Sequence, residues 1–177
     1  MRVVSGSAKG RPLKAALPSS VRPTTDRVKE AIFDILGSMG GVAGLRVLDL
    51  FAGSGALGIE ALSRGAASVI FVDADHVALG ATRANVEALG MSDGPVTFVQ
   101  ASLPTWTPPE VDLVLVDPPY GFEQLQETLA LISASTMVVE SRDEPIVPPG
   151  WVSHRQRRYG GTLVTVMINE QQGEGER

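Results

Sequence analysis

The sequence has no cysteine and only two histidines. The lack of cysteine excludes disulfide bonds and thiolate metal sites, and no other pattern of metal ligands is visible. No apolar stretch is long enough to cross a membrane, and the opening MRVVSGSAKGRPLK lacks the apolar core of a secretory signal. These absences predict a cytoplasmic protein with no metal and no membrane partner.

Aromatic residues are scarce at 5%, yet 44% of the 177 residues are hydrophobic and 20% are charged. These proportions are typical of a globular protein rather than a disordered one. The length suits one compact domain whose sheet is covered on both faces. A monomer fits this size and the acidic character of most of the chain.

The formal net charge of −5 argues against a nucleic-acid partner, but the charge is unevenly distributed. Residues 1–30 carry a net +5, so the remaining chain carries −10. The cations of the first part that we predict to contact RNA are Arg2, Lys9, Arg11, Lys14, Arg22 and Arg27. A second basic cluster holds Arg155, Arg157 and Arg158. Either cluster alone is typical of a solvated surface, whereas two on an acidic protein favour a surface that binds phosphates.

From Leu45 onward, strand-like apolar runs alternate with helical patterns. This order predicts an α/β fold, namely a doubly wound, Rossmann-like sheet of seven mostly parallel strands. The last two strands meet at Gly160-Gly161 and predict an antiparallel edge. The stretch FEQLQETLALI, residues 122–132, predicts one of the helices because its apolar residues fall on a single stripe.

Three parts are expected along the chain. Residues 1–22 form a basic N-terminal arm or short hairpin, residues 23–169 form the main domain, and residues 170–177 form a disordered tail. The main domain should begin with a helix, because Pro23 disfavours helix at the residue before it and Thr24 or Thr25 can cap the helix start.

The loop DLFAGSGALG, residues 49–58, predicts a ligand site at the end of the first strand of the sheet. Gly53, Gly55 and Gly58 spell G-x-G-x-x-G, and Asp73 follows twenty positions after Gly53. That spacing is typical of dinucleotide binding, in which the acid binds the ribose. Asp49 argues otherwise, because its carboxylate would repel a pyrophosphate and suits a ligand with a cationic end. S-adenosylmethionine has such an end, together with a ribose that Asp73 can bind through both hydroxyls.

A second motif, DPPY at residues 117–120, follows the fourth strand. Its two prolines fix two φ angles and remove two N–H donors, so the turn presents carbonyl oxygens and the Asp117 carboxylate as acceptors. This array matches the amino group on a planar base, and Tyr120 offers the base a stacking surface. The motif by itself is also compatible with a plain loop, but its position beside the glycine loop favours the catalytic interpretation.

Together these motifs resemble S-adenosylmethionine-dependent amino-methyltransferases. Within that group, RPTTDRVKEAIFDIL, DLFAGSGALGIEALSRGA, FVDAD and VDPPY resemble the bacterial small-subunit ribosomal RNA guanine-N2 methyltransferases, the RsmD family. The resemblance extends over nearly the whole chain and implies a class I methyltransferase fold with S-adenosylmethionine as cofactor. It also implies 16S rRNA, or a small-subunit assembly intermediate, as the partner and guanine 966 as the target.

The resemblance assigns roles to individual residues. Asp117, the Pro118 carbonyl and Tyr120 would hold and stack the guanine. Asp73 would bind the ribose, and the adenine would rest near Ala74 and the loop after the third strand. Relatives often carry Asp or Asn in that loop, whereas this chain has Gln100-Ala101-Ser102. The full cofactor set is Asp49, Phe51, Ala52, Gly53, Ser54, Gly55, Gly58, Asp73, Ala74, Ala101 and Ser102.

Three alternatives stay open at this point. A DNA adenine-N6 or cytosine-N4 methyltransferase shares DPPY, although 177 residues leave little room for a DNA-recognition domain. A dehydrogenase would leave DPPY without a role. A non-catalytic RNA-binding assembly factor would retain the fold without turnover, which the intact Asp49, Asp73, Asp117 and Tyr120 disfavour.

Overall fold

The computed structural model describes residues 1–14 and 25–170. Arg22 lies outside the described residues. The same is true of the boundary predicted between residues 22 and 23 and of the predicted tail beyond Glu170. The elements are α1 (Asp26–Ser38), β1 (Arg46–Leu50), α2 (Ala56–Ser63), β2 (Ser68–Asp73), α3 (His76–Ala88), β3 (Val96–Gln100), β4 (Val111–Val116), α4 (Leu125–Ala130), β5 (Ala134–Ser141), β6 (Trp151–Tyr159) and β7 (Thr162–Asn169). None of the helices in the described chain is long and apolar enough to span a membrane.

The seven strands form one sheet in the order β3-β2-β1-β4-β5-β7-β6. The pairs from β3 to β5 are parallel, and β7 pairs antiparallel with both β5 and β6. This architecture confirms the predicted doubly wound sheet with an antiparallel edge. The strand order reverses between β1 and β4, so a crevice opens at their carboxyl ends, where ligands bind in such sheets.

Alternate residues of the central strands supply two separate cores. Val47, Leu113 and Val138 pack with α1, α2 and α3 on one face. Leu48, Val114 and Met137 pack on the other face, against α4 and the segments beside it. The two-residue period of a strand therefore explains why β4, with the sequence VDLVLV, is apolar almost throughout.

Helix α1 begins as the sequence predicts. Thr25 is its N-cap, and the hydroxyl oxygen of Thr25 accepts a hydrogen bond from the Val28 N–H. Val28, Ile32 and Leu36 lie on the buried stripe. The helix start is therefore fixed at the rim of the sheet, beside the crevice.

Helix α4 is shorter than predicted and spans only Leu125–Ala130. Phe122 belongs instead to a turn, in which its N–H donates to the Pro119 carbonyl at 3.1 Å. Phe122, Leu125, Leu129 and Ile132 still pack together in the second core. The apolar stripe thus predicted correctly what is buried, while the rigid Pro118-Pro119 turn shortened the helix.

The first fourteen residues form a small hairpin that is docked on the domain. Arg2 bridges Pro12 in antiparallel fashion, and Val3 is buried in the core beside α1. The Glu60 carboxylate accepts hydrogen bonds from the N–H groups of Val4 (2.8 Å) and Ser5 (2.9 Å). The hairpin is therefore anchored by a buried side chain of α2.

Candidate functional site

A cavity of about 980 Å³ lies at the carboxyl ends of β1 and β4. Twelve of the fourteen residues predicted to bind cofactor or base line it together. From the glycine loop these are Asp49, Phe51, Ala52, Gly53 and Ser54; from the neighbouring strand ends they are Asp73, Ala74, Ala101, Ser102, Asp117, Pro118 and Tyr120. The fold thus gathers side chains that are far apart in the sequence around one space.

The glycine loop is held in a tight left-handed path. Phe51, Gly53 and Gly55 have φ angles of 61°, 58° and 79°, which glycine adopts freely and other residues seldom do. The loop is also bonded from outside, because Thr82 Oγ1 donates to the Gly53 carbonyl (2.8 Å) and Asn85 Nδ2 donates to the Ser54 carbonyl (3.0 Å). Hydrogen bonds from α3 therefore hold the backbone that faces the cavity.

Gly55 and Gly58 lie behind the loop and are not among the residues that line the cavity. A Cβ on Gly58 would lie 2.3 Å from the Phe71 ring and 2.9 Å from Asp49 Oδ2. The absence of a side chain lets α2 pack directly on the strands. The structure thus gives these two glycines a role in building the loop and does not bring them to the predicted cofactor surface.

Asp49 is buried beneath the loop, with 2% of its surface exposed. Its Oδ2 accepts a hydrogen bond from the Gly58 N–H at 2.8 Å. Burial raises the pKa of the Asp49 carboxyl well above its ordinary value, the Gly58 N–H opposes this rise, and the nearby Asp117 and Asp73 add to it. A cationic ligand in the cavity would favour the ionised form.

Asp73 ends β2 and braces the loop that follows β1. Its Oδ2 accepts from the Gly53 N–H and its Oδ1 from the Asp75 N–H, both at 2.9 Å. Ala74 lies beside it, and the Gln100 side chain donates to the Ala74 carbonyl at 3.2 Å. Gln100 is therefore engaged with backbone, which leaves Ser102 as the polar side chain of the 100–102 stretch that lines the cavity.

The DPPY turn forms the opposite wall. Tyr120 is half exposed, at 51%, and the Arg142 guanidinium lies 5.0 Å above the centre of its ring. Phe122 packs edge-on against Phe51 with ring centres 4.9 Å apart, so the two loops touch each other. The Arg142 carbonyl accepts a hydrogen bond from Arg158 Nη1 at 3.0 Å, which ties β6 to this wall.

The cavity is strongly acidic. Among the described residues that line it, eight carry carboxylates and one, Arg142, carries a guanidinium. Such a lining disfavours a pyrophosphate and favours a ligand with positive charge or many N–H donors. Among residues 1–14 and 25–170, no group of three or more histidine or acidic side chains is arranged to hold a metal ion.

Some residues of the two predicted basic clusters lie together in one groove. Arg27 of α1 lines a groove of about 370 Å³ together with Arg155 and Arg157 of the edge strand β6. Glu30 and Asp34 lie in the same groove, so its charge is mixed. The other flank of α1 borders the acidic cavity through Thr25 and Val28. One helix therefore separates the groove from the cavity.

Other predicted RNA contacts have partners within the protein. Arg11 donates to the carbonyls of Ala88 and Leu89, both at 2.7 Å, and so caps the end of α3. Arg2 lies 3.7 Å from Asp26, and Arg158 is the residue bonded to Arg142. Lys9 and Lys14 are exposed on the hairpin.

Sequence reasoning missed two residues of the cavity wall, Glu140 and Arg142. Both stand at the carboxyl end of β5, the strand beside β4. The stretch TMVVES contains no known motif, so only its place next to β4 could have pointed to them. It missed the buried Lys29 as well, whose Nζ lies 3.5 Å from Glu60 and donates to the Arg2 carbonyl.

Comparisons with known proteins identify the family of the chain. A sequence family described as conserved hypothetical protein 95 matches residues 1–168. Bacillus subtilis YlbH, provisionally described as an rRNA methyltransferase, is 39% identical over 94% of this chain and 97% of its own length. Ribosomal RNA small subunit methyltransferase D of Escherichia coli is 33% identical over 99% of this chain and 93% of its own length.

Solved structures support the same family assignment. Escherichia coli yhhF, provisionally described as a methyltransferase, superposes with a TM-score of 0.83 at 33% identity, over 96% of this chain and 98% of that one. An RNA methyltransferase of Salinibacter ruber in complex with S-adenosyl-L-homocysteine is 21% identical, covers 84% of this chain and 95% of its own, and shares the fold with a TM-score of 0.68. These similarities confirm the predicted Rossmann-like methyltransferase fold and the resemblance drawn from the motifs. The chain belongs to the conserved hypothetical protein 95 family, which is the family of the ribosomal RNA small subunit methyltransferase D proteins.

Proposed function

We propose that this protein transfers a methyl group from S-adenosylmethionine to the N2 amine of guanine 966 in 16S rRNA, during small-subunit assembly. The observation that carries this proposal is the acidic cavity at the strand-order reversal, in which the glycine loop and the DPPY turn face each other. Family membership supports ribosomal RNA as the substrate class. A cytoplasmic monomer is the form that we expect to act.

The residues present suit S-adenosylmethionine. Asp73 would bind the ribose hydroxyls, since each of its oxygens uses one acceptor position on a backbone N–H and retains another. Asp49 would act from beneath the loop, where its buried charge favours the cationic methionine end. When bound, the cofactor supplies an electrophilic methyl group on a positively charged sulfur.

The DPPY turn would position the nucleophile. The guanine amine is a weak nucleophile because its lone pair is delocalised into the ring. The Asp117 carboxylate and the Pro118 carbonyl would each accept one of its hydrogens, which aims the lone pair at the methyl group. Positive charge that develops on the nitrogen strengthens both bonds, so they stabilise the transition state more than the ground state. As the bond from N2 to the methyl group forms, the bond from the methyl group to sulfur breaks, and N2 then gives up one proton to Asp117 or to water. Tyr120 would stack on the flipped base.

A methyl-transfer experiment tests this function. Tritiated S-adenosylmethionine is offered with unmodified 16S rRNA, partly assembled small subunits, and DNA. We expect label in one of the ribosomal substrates, at a guanine that nuclease digestion and mass spectrometry identify as N2-methylated. Label in DNA alone would contradict the proposal, and no label in any substrate would favour a non-catalytic binding role.

The groove beside α1 is the surface that we propose for RNA phosphates. Replacing Arg27, Arg155 and Arg157 by Gln should weaken RNA binding. It should also reduce the slope of log K against log salt concentration by roughly 1 for each lost phosphate contact. Arg46→Gln is the control, because Arg46 pairs with Asp112 (2.9 Å) at the amino end of β1, away from the cavity. Equal salt slopes for the triple variant and the control would contradict the assignment.

A further inference from the structure

Glu140 is a buried carboxylate in the cavity wall for which the methyl-transfer chemistry above has no use. It is 5% exposed and lies near the carboxyl end of β5. Val116 of β4 pairs with Val139 of β5, so Asp117 and Glu140 are the next residues on two neighbouring parallel strands. Neighbouring strands lie about 4.8 Å apart. The carboxylate that would hold the base amine therefore has a second carboxylate beside it.

A pair of carboxylates can bind only a base whose pairing edge carries hydrogen-bond donors. Guanine presents two adjacent donor groups on its pairing edge, the N1–H and the N2 amine. Adenine and 2,6-diaminopurine present a lone pair at N1 instead. An ionised carboxylate only accepts hydrogen bonds, so it matches the guanine edge and faces a lone pair unfavourably.

We propose that Glu140 is a specificity-determining residue that accepts the N1–H of the target guanine while Asp117 accepts from the N2 amine. This inference rests on the proposed guanine-N2 substrate. A carboxylate has about four acceptor positions, so Glu140 can bind the base alongside the contact that it makes within the protein.

The test compares two bases at one position of the RNA. The guanine that the wild-type protein methylates is located by mass spectrometry and then replaced by 2,6-diaminopurine, which keeps the 2-amino group but has no N1–H. We expect the wild-type protein to prefer guanine in kcat/KM by about tenfold to a hundredfold, the loss typical of one hydrogen bond to a charged group. Glu140→Gln should shift this preference toward diaminopurine by a similar factor, because the glutamine amide can donate to N1.

Glu144→Gln is the matched control, since Glu144 lines the same cavity but is exposed. It should leave the guanine preference unchanged. Titration calorimetry with S-adenosylmethionine should give the same Kd for both variants, which separates base recognition from cofactor binding. A wild-type protein that methylates both bases equally would overturn the inference even if Glu140→Gln did not fold.

The outcomes separate this inference from the proposed function. If the wild-type protein methylates guanine N2 and Glu140→Gln slows both bases equally, Glu140 is a structural residue and the function stands. If the wild-type protein modifies no guanine N2, the proposed function fails, and the inference fails with it.

Discussion

The two loops that face each other across the cavity are built in different ways. The glycine loop is hydrogen-bonded to other parts of the domain, since Asp73 accepts from the Gly53 N–H and Thr82 donates to the Gly53 carbonyl. The DPPY turn has two residues without an N–H, and its most prominent side chain, Tyr120, is half exposed beneath Arg142. The glycine loop is thus held by hydrogen bonds from other parts of the domain, whereas the DPPY turn presents acceptor oxygens and a half-exposed ring.

This difference fits two ligands of different kinds. A small, invariant cofactor is bound best by backbone that is already in place, because less ordering of the protein is then needed on binding. A base that must leave its stack needs an accessible ring and acceptors that it can reach. We therefore expect changes in the glycine loop to affect folding and cofactor binding, and changes in the DPPY turn to affect rate.

Asp117→Ala should give the largest effect and separate the two loops most clearly. Loss of one electrostatic contact in the transition state typically lowers kcat by about a hundredfold to a thousandfold. The Kd for S-adenosylmethionine, measured by calorimetry, should change little because the glycine loop is intact. Glu123→Ala is the control, since Glu123 is an exposed carboxylate at the same cavity. An Asp117→Ala protein with full activity would rule out amine positioning by this carboxylate.

Gly58→Ala should destabilise the fold by about 1–3 kcal/mol, the usual cost of overpacking. The new Cβ would meet the Phe71 ring at 2.3 Å and Val69 at 2.9 Å. Gly80→Ala is the matched control, because Gly80 lies in α3 with no atom within 4 Å of its added Cβ. It should stabilise the helix by about 0.5–1 kcal/mol. Urea unfolding of both variants measures the contrast, and equal stabilities would contradict the role of Gly58.

The sequence predicted those parts of the structure that depend on local pattern. Apolar runs predicted the strands β1 and β4, Pro23 with Thr24 or Thr25 predicted the start of α1, and the motifs at 49–58 and 117–120 predicted two walls of one cavity. Each of these features depends on residues that are close together in the sequence.

The sequence could not predict contacts that depend on how distant elements pack. Arg11 looked like an RNA contact, but its guanidinium caps α3 some 78 residues away. Lys29 contributes to the positive charge of residues 1–30, but it is fully buried beside Glu60. Gly58 looked like a cofactor contact because its motif position does not reveal that Phe71 packs behind it.

Asp49→Asn tests whether the glycine loop holds a charge at the expense of stability. Burial raises the pKa of Asp49 in the folded protein, so stability falls as pH rises from the ordinary aspartate pKa toward the folded value. Asparagine can still accept from the Gly58 N–H and does not ionise. The variant should therefore be more stable than wild type near pH 7, and this gain should vanish below about pH 3.9.

Denaturant unfolding across this pH range measures that gain, and calorimetry measures the accompanying loss of S-adenosylmethionine affinity. A gain that stayed constant with pH would mean that the Asp49 charge is not its source. Unchanged affinity would contradict a role for Asp49 in cofactor binding. It would not contradict the pH-dependent effect of Asp49 on stability.

The contact between Phe51 and Phe122 should give the smallest effect, and it tests whether the two loops act separately. An edge-on aromatic pair contributes about 0.5–1.5 kcal/mol, so Phe122→Leu should lower kcat by about twofold to tenfold through a looser DPPY turn. Its cofactor Kd should stay constant, whereas Phe51→Leu should weaken cofactor binding as well, because Phe51 belongs to the glycine loop. A double variant with the same kcat as Phe51→Leu alone would show that the rate effect passes through this one contact. Fully additive losses would show instead that each loop keeps its own geometry, which would strengthen the contrast between them.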